Sequence, residues 1–221
     1  MDTMAERSQP LQVAVITGHH AFDVPAFADL FHRQVSDEVP GIRPYIQDLE
    51  NLAADAGRAL ERYDLFVFYN MHPGAPEGRV RAALERLGQT DQGIVVLHHG
   101  LLAFPEWPVW DELVGITGRG EFDYFHDEVI PLEIADAGHP ITEGLTSGAI
   151  TDETYTLPDA GADSRVLVTT THPRSMRTIC WTRAHGRARV LCLELGHDAQ
   201  AWNDPTFRAL LARGIRWAAR R

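Results

Sequence analysis

Apolar positions along the chain fall into short unbroken runs separated by segments with helical spacing. Leu11 to Ile16 (LQVAVI) reads as a strand, and after it Val24, Phe27, Phe31 and Val35 share one helical face, with Asp23 placed as the cap and Pro25 in the first turn. Gly41 to Asp48 holds a second short strand, Asn51 to Glu61 a helix, Leu65 to Tyr69 (LFVFY) a buried strand, and Gly78 to Leu87 another helix. Ile94 to Leu97 (IVVL) is a strand bounded by Gly93 and Gly100. Beyond Val129 the rhythm changes: VIPLEI, RVLVTT, TICWT and RVLCLEL follow one another with turn-rich links, as expected of strands added in antiparallel fashion. A final helix opens with Asp204 as cap and Pro205 in its first position, and buries Phe207, Leu210, Leu211 and Trp217. Alternating β and α elements predict an α/β fold, a parallel sheet with helices on both faces and additional C-terminal strands. Residues 1–10 read as a disordered polar tail and 11–221 as a single domain.

Composition narrows the chemistry. Among 221 residues, 20 cations face 31 carboxylates, for a net charge of −11, which argues against nucleic acid as a partner. Every cation is arginine, so a lysine Schiff base and a phosphate-binding loop with its lysine are both excluded. No G-x-G-x-x-G follows a strand, so no nucleotide cofactor is expected. Cys180 and Cys192 sit in apolar runs without C-x-x-C spacing and read as core residues. No run approaches the ~18 apolar residues of a membrane span, and no secretory signal is visible, so a cytoplasmic location is the default expectation.

Histidine is the unusual count, at 11. Ligands of open α/β sheets bind beyond the carboxyl ends of the strands, and four strand candidates run directly into histidines there: His19 and His20, His72, His98 and His99, and His197. Imidazole at such positions serves proton transfer or ligates zinc and similar ions. Each has a plainer reading too. His72 before Pro73-Gly74 suits a polar turn, and only one of His19 and His20 is expected to face the cleft. His32, His126, His139 and His185 read as solvated or turn-shaping residues. Asp152-Glu153-Thr154-Tyr155 is the second constellation. Neighbouring carboxylates on a strand point to opposite faces, so one of Asp152 and Glu153 reaches the cleft as acid, base or oxygen ligand; a helix cap or turn is the alternative. Trp107 and Trp110 offer apolar faces for a sugar ring.

Gly93 to Trp110 (GIVVLHHGLLAFPEWPVW), Asp152 to Tyr155 (DETY) and Trp181 to Asp198 (WTRAHGRARVLCLELGHD), with VAVITGHHAFD and His139 to Leu145, resemble the ThuA-like, or trehalose-utilisation, family. The resemblance runs from about residue 11 to 218. It implies a flavodoxin-like sheet similar to class I glutamine amidotransferases, in which a Cys sits at the strand-to-helix elbow and a His follows a late strand. Here the elbow residue is His98 and the late histidine is His197, so the amidotransferase triad does not carry over. His20 matches the histidine of the opening motif. The resemblance also implies a role in catabolism of trehalose-like disaccharides or their keto derivatives.

Two functions compete at this stage. In the first, His98, His197, Glu153 and Asp152 are catalytic, His20, His99, Trp107 and Tyr155 bind a small sugar, and His20, His98 and His197 ligate a divalent metal, zinc or manganese. In the second, a scaffold without its nucleophile binds a sugar or a partner protein. A homo-oligomer is compatible with either, and no nucleic acid or membrane is expected as partner.

Overall fold

The computed structural model describes residues 9–221. The expected tail over residues 1–10 therefore lies, apart from Gln9 and Pro10, outside the described residues. Nine strands form one sheet in the order β2-β1-β3-β4-β9-β8-β7-β5-β6. The strands β1 (Leu11–Ile16), β2 (Ile42–Gln47), β3 (Leu65–Phe68), β4 (Gly93–Leu97) and β9 (Ala188–Leu193) pair in parallel. Antiparallel pairing adds β8 (Thr178–His185), β7 (Arg165–Thr169), β5 (Tyr124–Ile134) and β6 (Gly148–Tyr155). The parallel part has the flavodoxin arrangement, in which the chain leaves β1 toward one edge and returns on its other side.

Strand alternation divides the core. Val13, Val15, Val67 and Val95 belong to one apolar cluster, and Ala14, Ile16, Phe66, Phe68, Ile94 and Val96 to the other. The first face is covered by α1 (Val24–Asp29), which continues through a π-helical turn into α2 (Val35–Glu38), and by α6 (Ala199–Trp202) and α7 (Pro205–Ala218). The second is covered by α3 (Leu49–Leu52), α4 (Gly78–Leu84) and α5 (Pro108–Val114). The Asp23 and Asp204 carboxylates accept from the first-turn amides of Ala26 at 3.0 Å and Thr206 at 2.7 Å, as the cap pattern predicts.

Two local features differ from the sequence reading, and one alternative it left open is excluded. The helix expected over 51–61 is α3 followed by a 3-10 helix (Asp55–Arg62), because Asp55 and Gly57 adopt φ of 55° and 80° and break the α-helical ladder. The residues around Asp152-Glu153 form strand β6, where a cap or turn had been the alternative. Strand β5 begins five residues before the VIPLEI run, and a bulge between Phe125 and Glu128, with Asp127 at φ 56°, hides the alternation.

Candidate functional site

The carboxyl ends of β1, β3, β4 and β9 converge, and the antiparallel β6 brings its own end to the same place. At the end of β4 the chain turns sharply. His98 takes φ 49°, the left-handed region that a residue with a bulky side chain enters only under constraint. The constraint is visible around it. A Cβ on Gly100 would collide with the Phe68 carbonyl oxygen, so the turn packs directly on β3. The Gly100 carbonyl accepts from Trp110 Nε1 at 3.0 Å, while buried Arg119 donates to the carbonyls of Leu101 at 2.6 Å and Ala103 at 2.8 Å and pairs with Asp111. The elbow is thereby fixed with the His98 ring inside the site.

His98 Nδ1 lies 2.6 Å from the Glu194 carbonyl oxygen, a group that only accepts, so Nδ1 carries a proton. Its Nε2 faces Glu153 Oε2 at 3.1 Å and His197 Nδ1 at 3.3 Å, and the last two atoms are 3.2 Å apart. These three atoms form a small triangle in which His197 Nδ1 is the donor; its hydrogen bond to Glu153 raises the His197 pKa. Burial works against ionisation of Glu153, yet the hydrogen bonds from His197 and Tyr155 hold its carboxyl far below the usual range. Tyr155, whose hydroxyl is 2.7 Å from His98 Nε2 and also bonds to Glu153, is pushed well above its ordinary pKa by burial and remains a donor.

Asp152 supports this triangle from behind. Its carboxylate accepts from the backbone N–H groups of Gly196 at 2.6 Å, His197 at 3.0 Å and Glu153 at 2.8 Å. The expectation that only one of the adjacent carboxylates would reach the imidazoles matches this division, in which Glu153 touches both rings and Asp152 fixes the loop that carries His197.

His20 stands apart from the group of ligand atoms, which consists of His98, Glu153 and His197 within 4.8 Å of one another. Gly18 and His19 both adopt positive φ, and the turn they make stacks His20 on His99, with ring centroids 4.2 Å apart, while His197 is 5.8 Å away. The structure thus gathers Glu153, rather than His20, with His98 and His197. His99 donates from Nε2 to the Tyr69 carbonyl at 2.8 Å, and burial pushes its pKa down to about 2. His19 instead pairs with His72, centroids 4.1 Å apart; His72 accepts from the Asn70 amide at 3.0 Å, and burial lowers its pKa to about 4. Trp107 and Trp110 are 3% and 0% exposed and pack edge-on against Phe104, so neither presents the open face expected for a sugar ring. Packing of the elbow against α5 has claimed them. Both thiols lie in the core, where burial raises their pKa, and Cys192, which pairs with Val96 on β4, turns its Sγ to the Val114 carbonyl.

Sequence reasoning missed His126. Its Nδ1 sits 3.0 Å from Glu153 Oε1 and its ring centroid 4.9 Å from that of His197. With Asp127 and Gln200, which hydrogen-bond at 2.7 Å, it borders a cavity of about 100 Å³ that opens on Glu153 and His197. The aromatic Tyr124-Phe125 ahead of it was the available sign that β5 starts early.

A flavodoxin-ordered sheet with a strained elbow after β4 and a histidine after β9 defines the class: an α/β protein of the amidotransferase-like fold, here without the nucleophile. Residues 17–218 match the family described as ThuA, trehalose utilisation, and the chain belongs to that family. Among solved structures, a protein described as ThuA-like from Parabacteroides merdae is similar at 21% identity and a TM-score of 0.75, covering 96% of this chain and 90% of that one. A second ThuA-like protein, from Bacteroides uniformis, gives 20% identity, a TM-score of 0.70 and coverage of 96% and 92%. PurLQS from Thermotoga maritima shares the fold at 12% identity and a TM-score of 0.57, over 95% of this chain and 99% of that one. No curated protein matched the sequence. No helix in the described residues is long and apolar enough to cross a membrane.

Proposed function

We propose that this ThuA-family protein is a carbohydrate-processing enzyme whose His98, Glu153 and His197 hold a divalent metal ion, zinc or manganese, at which the carbonyl end of a keto-sugar or related disaccharide reacts. One observation carries this reading: three atoms able to ligate a metal stand 3.1 to 3.3 Å from one another. Ligand atoms at zinc, with bonds of about 2.0–2.1 Å in a tetrahedron, lie about 3.3 Å apart, so the three have the spacing an ion needs once His197 gives up its Nδ1 proton and Tyr155 turns its O–H to Glu153. Two histidines and one carboxylate leave coordination positions open, as catalytic rather than structural sites do, and the oxygen donor also suits manganese.

A bound ion supplies Lewis acidity toward a carbonyl or hydroxyl oxygen. The rest falls to the chain. The Glu194 carbonyl fixes the His98 tautomer that exposes the Nε2 lone pair, and Asp152 orients His197 through its backbone. Tyr155 donates a hydrogen bond into the triangle. His126, half-exposed at the cavity mouth and bonded to the second Glu153 oxygen, is placed to carry a proton between a substrate C–H or O–H and solvent. The cavity, about 100 Å³, is below the few hundred that enclose a whole small ligand. It suits the reacting edge of a sugar, with the remainder outside.

Metal analysis of the freshly purified protein, followed by assays on trehalose, 3-keto-trehalose and related glycosides with and without chelator, tests the proposal. Near-stoichiometric metal, lost in Glu153→Gln and His197→Ala, with turnover abolished by chelator, is expected. A protein that takes up neither zinc nor manganese, or a Glu153→Gln variant that retains both metal and turnover, overturns it.

A further inference from the structure

A cavity of about 700 Å³ lies far from the histidines, between the start of β9 and the C-terminal end of α7. From Arg189 to Leu193 the four residue steps of β9 alone span about 13 Å, and His197 follows beyond that end. Five of the cavity's eight lining residues are arginines: Arg189, Arg213, Arg216, Arg220 and Arg221, with Trp217 among them. The chain as a whole is strongly acidic, so this is a concentration of charge against the general trend.

How those charges are held matters more than their number. Nine of the fourteen described arginines outside the cavity pair with carboxylates, from Arg33 with Asp29 to Arg177 with Asp159. Arg189, Arg213, Arg216 and Arg220 form no ion pair among the described residues. Instead Arg189 donates to the Trp217 carbonyl at 3.1 Å, Arg213 to the Glu143 carbonyl at 2.7 Å, and Arg220 to the carbonyls of Asp91 at 2.7 Å and Arg187 at 2.9 Å. A carbonyl fixes a guanidinium in direction but does not neutralise it. Arg189 also lies over the Trp217 ring, 5.2 Å from its centroid.

Arginines near a helix C-terminus complement its dipole, which would explain Arg216 on α7 by itself. It does not explain Arg189, which comes from β9, or the orientation of Arg213 by the loop after His139. Convergence from separate elements on one concavity is the mark of a site. Guanidinium forks recognise phosphate through paired N–H groups. The volume lies within the range of small-molecule sites, while the net charge of −11 opposes an extended polyanion such as nucleic acid. Among the described lining residues only Glu143 brings a side-chain carboxylate to the rim.

We propose that this arginine-lined cavity binds a phosphorylated small molecule, at a site separate from the histidine cluster. Inorganic phosphate and pyrophosphate, titrated calorimetrically and by Trp217 fluorescence, are the probes. Saturable binding of one pyrophosphate per chain is expected, weaker for phosphate, and at least tenfold weaker in Arg216→Ala and in Arg189→Gln. It should persist in Glu153→Gln, which separates it from any metal at the histidines, and in Arg33→Gln, which lies on another surface. Absence of saturable binding overturns the proposal, as does affinity unchanged in both arginine variants. So does dissociation of an oligomer by Arg216→Ala without any anion binding in the parent, which would make the cavity a contact between copies.

Discussion

Neutral imidazole is the state that burial imposes on His99, and acid should expose that. His99 is fully buried, and its pKa falls from 6.5 to about 2 through burial, with the neighbouring His98 and His20 charges adding to the shift. Above pH 6.5 the ring is neutral in both folded and unfolded chains, and the shift has no effect on stability. Below 6.5 the unfolded chain takes a proton that the folded chain refuses, so stability is lost progressively as pH falls toward the folded pKa. At pH 4.5 the gap is about 2 pH units at ~1.36 kcal/mol each, or about 3 kcal/mol from this ring. For a chain of this size that amounts to roughly 6–12 °C in Tm. The experiment is a series of urea unfolding curves between pH 7.5 and 4.5, in metal-depleted buffer, for the parent and for His99→Gln. Glutamine retains an amide donor for the Tyr69 carbonyl but does not titrate. The parent is expected to lose about 3 kcal/mol more than the variant over that range, and the His99 ring should give no NMR titration above pH 4.5. Parallel loss in both proteins, or a His99 ring titrating near 6, would refute the reasoning.

Further outcomes follow from individual contacts. Asp152→Asn puts an amide N–H against one of the backbone N–H groups now bonded to the carboxylate; zinc affinity measured by competition with a chelating dye should fall 10–100-fold although no ligand changes. Gly100→Ala drives a methyl into the Phe68 carbonyl and should lower stability by about 2 kcal/mol or more in chemical denaturation, with the candidate site disturbed as well. His126→Ala should leave metal content unchanged while reducing kcat more than KM on a keto-sugar substrate, since its ring meets Glu153 from the outer side.

The parallel half of the fold was legible because its signal is local. Strands β1, β3, β4 and β9 are largely apolar runs buried on both faces, and a histidine follows each of them within four residues. The antiparallel half was readable in kind but not in detail. Strand β6 alternates weakly, with Gly148 and Ala149 exposed at its start, and β5 carries a bulge that shifts its face in mid-strand. Those two strands supply Glu153 and His126, which is why the sequence grouped His20, rather than Glu153, with His98 and His197. The loop conformation that turns His20 toward His99 depends on positive φ at Gly18 and His19, and His19 has no local signature for it.

The replacement at the elbow has a physical logic that extends beyond this chain's own residues. A strained strand-to-helix turn serves a nucleophile because it presents one side chain, without freedom, at the sheet's rim. The same property serves a ligand, whose lone pair must point at a fixed spot. At position 98 the imidazole gains what a thiol would not need: a carbonyl acceptor at Nδ1 that selects the tautomer, and three partners around Nε2. A cysteine there would sit beside Glu153, whose negative charge disfavours the thiolate. Glu153 is therefore the residue that decides between the two chemistries. Restoring a thiol by His98→Cys in the otherwise unchanged chain should yield no nucleophile reactive with iodoacetamide at pH 7, whereas His98→Cys combined with Glu153→Gln should react measurably faster. Equal rates in the two variants would show that the carboxylate does not set the character of the elbow.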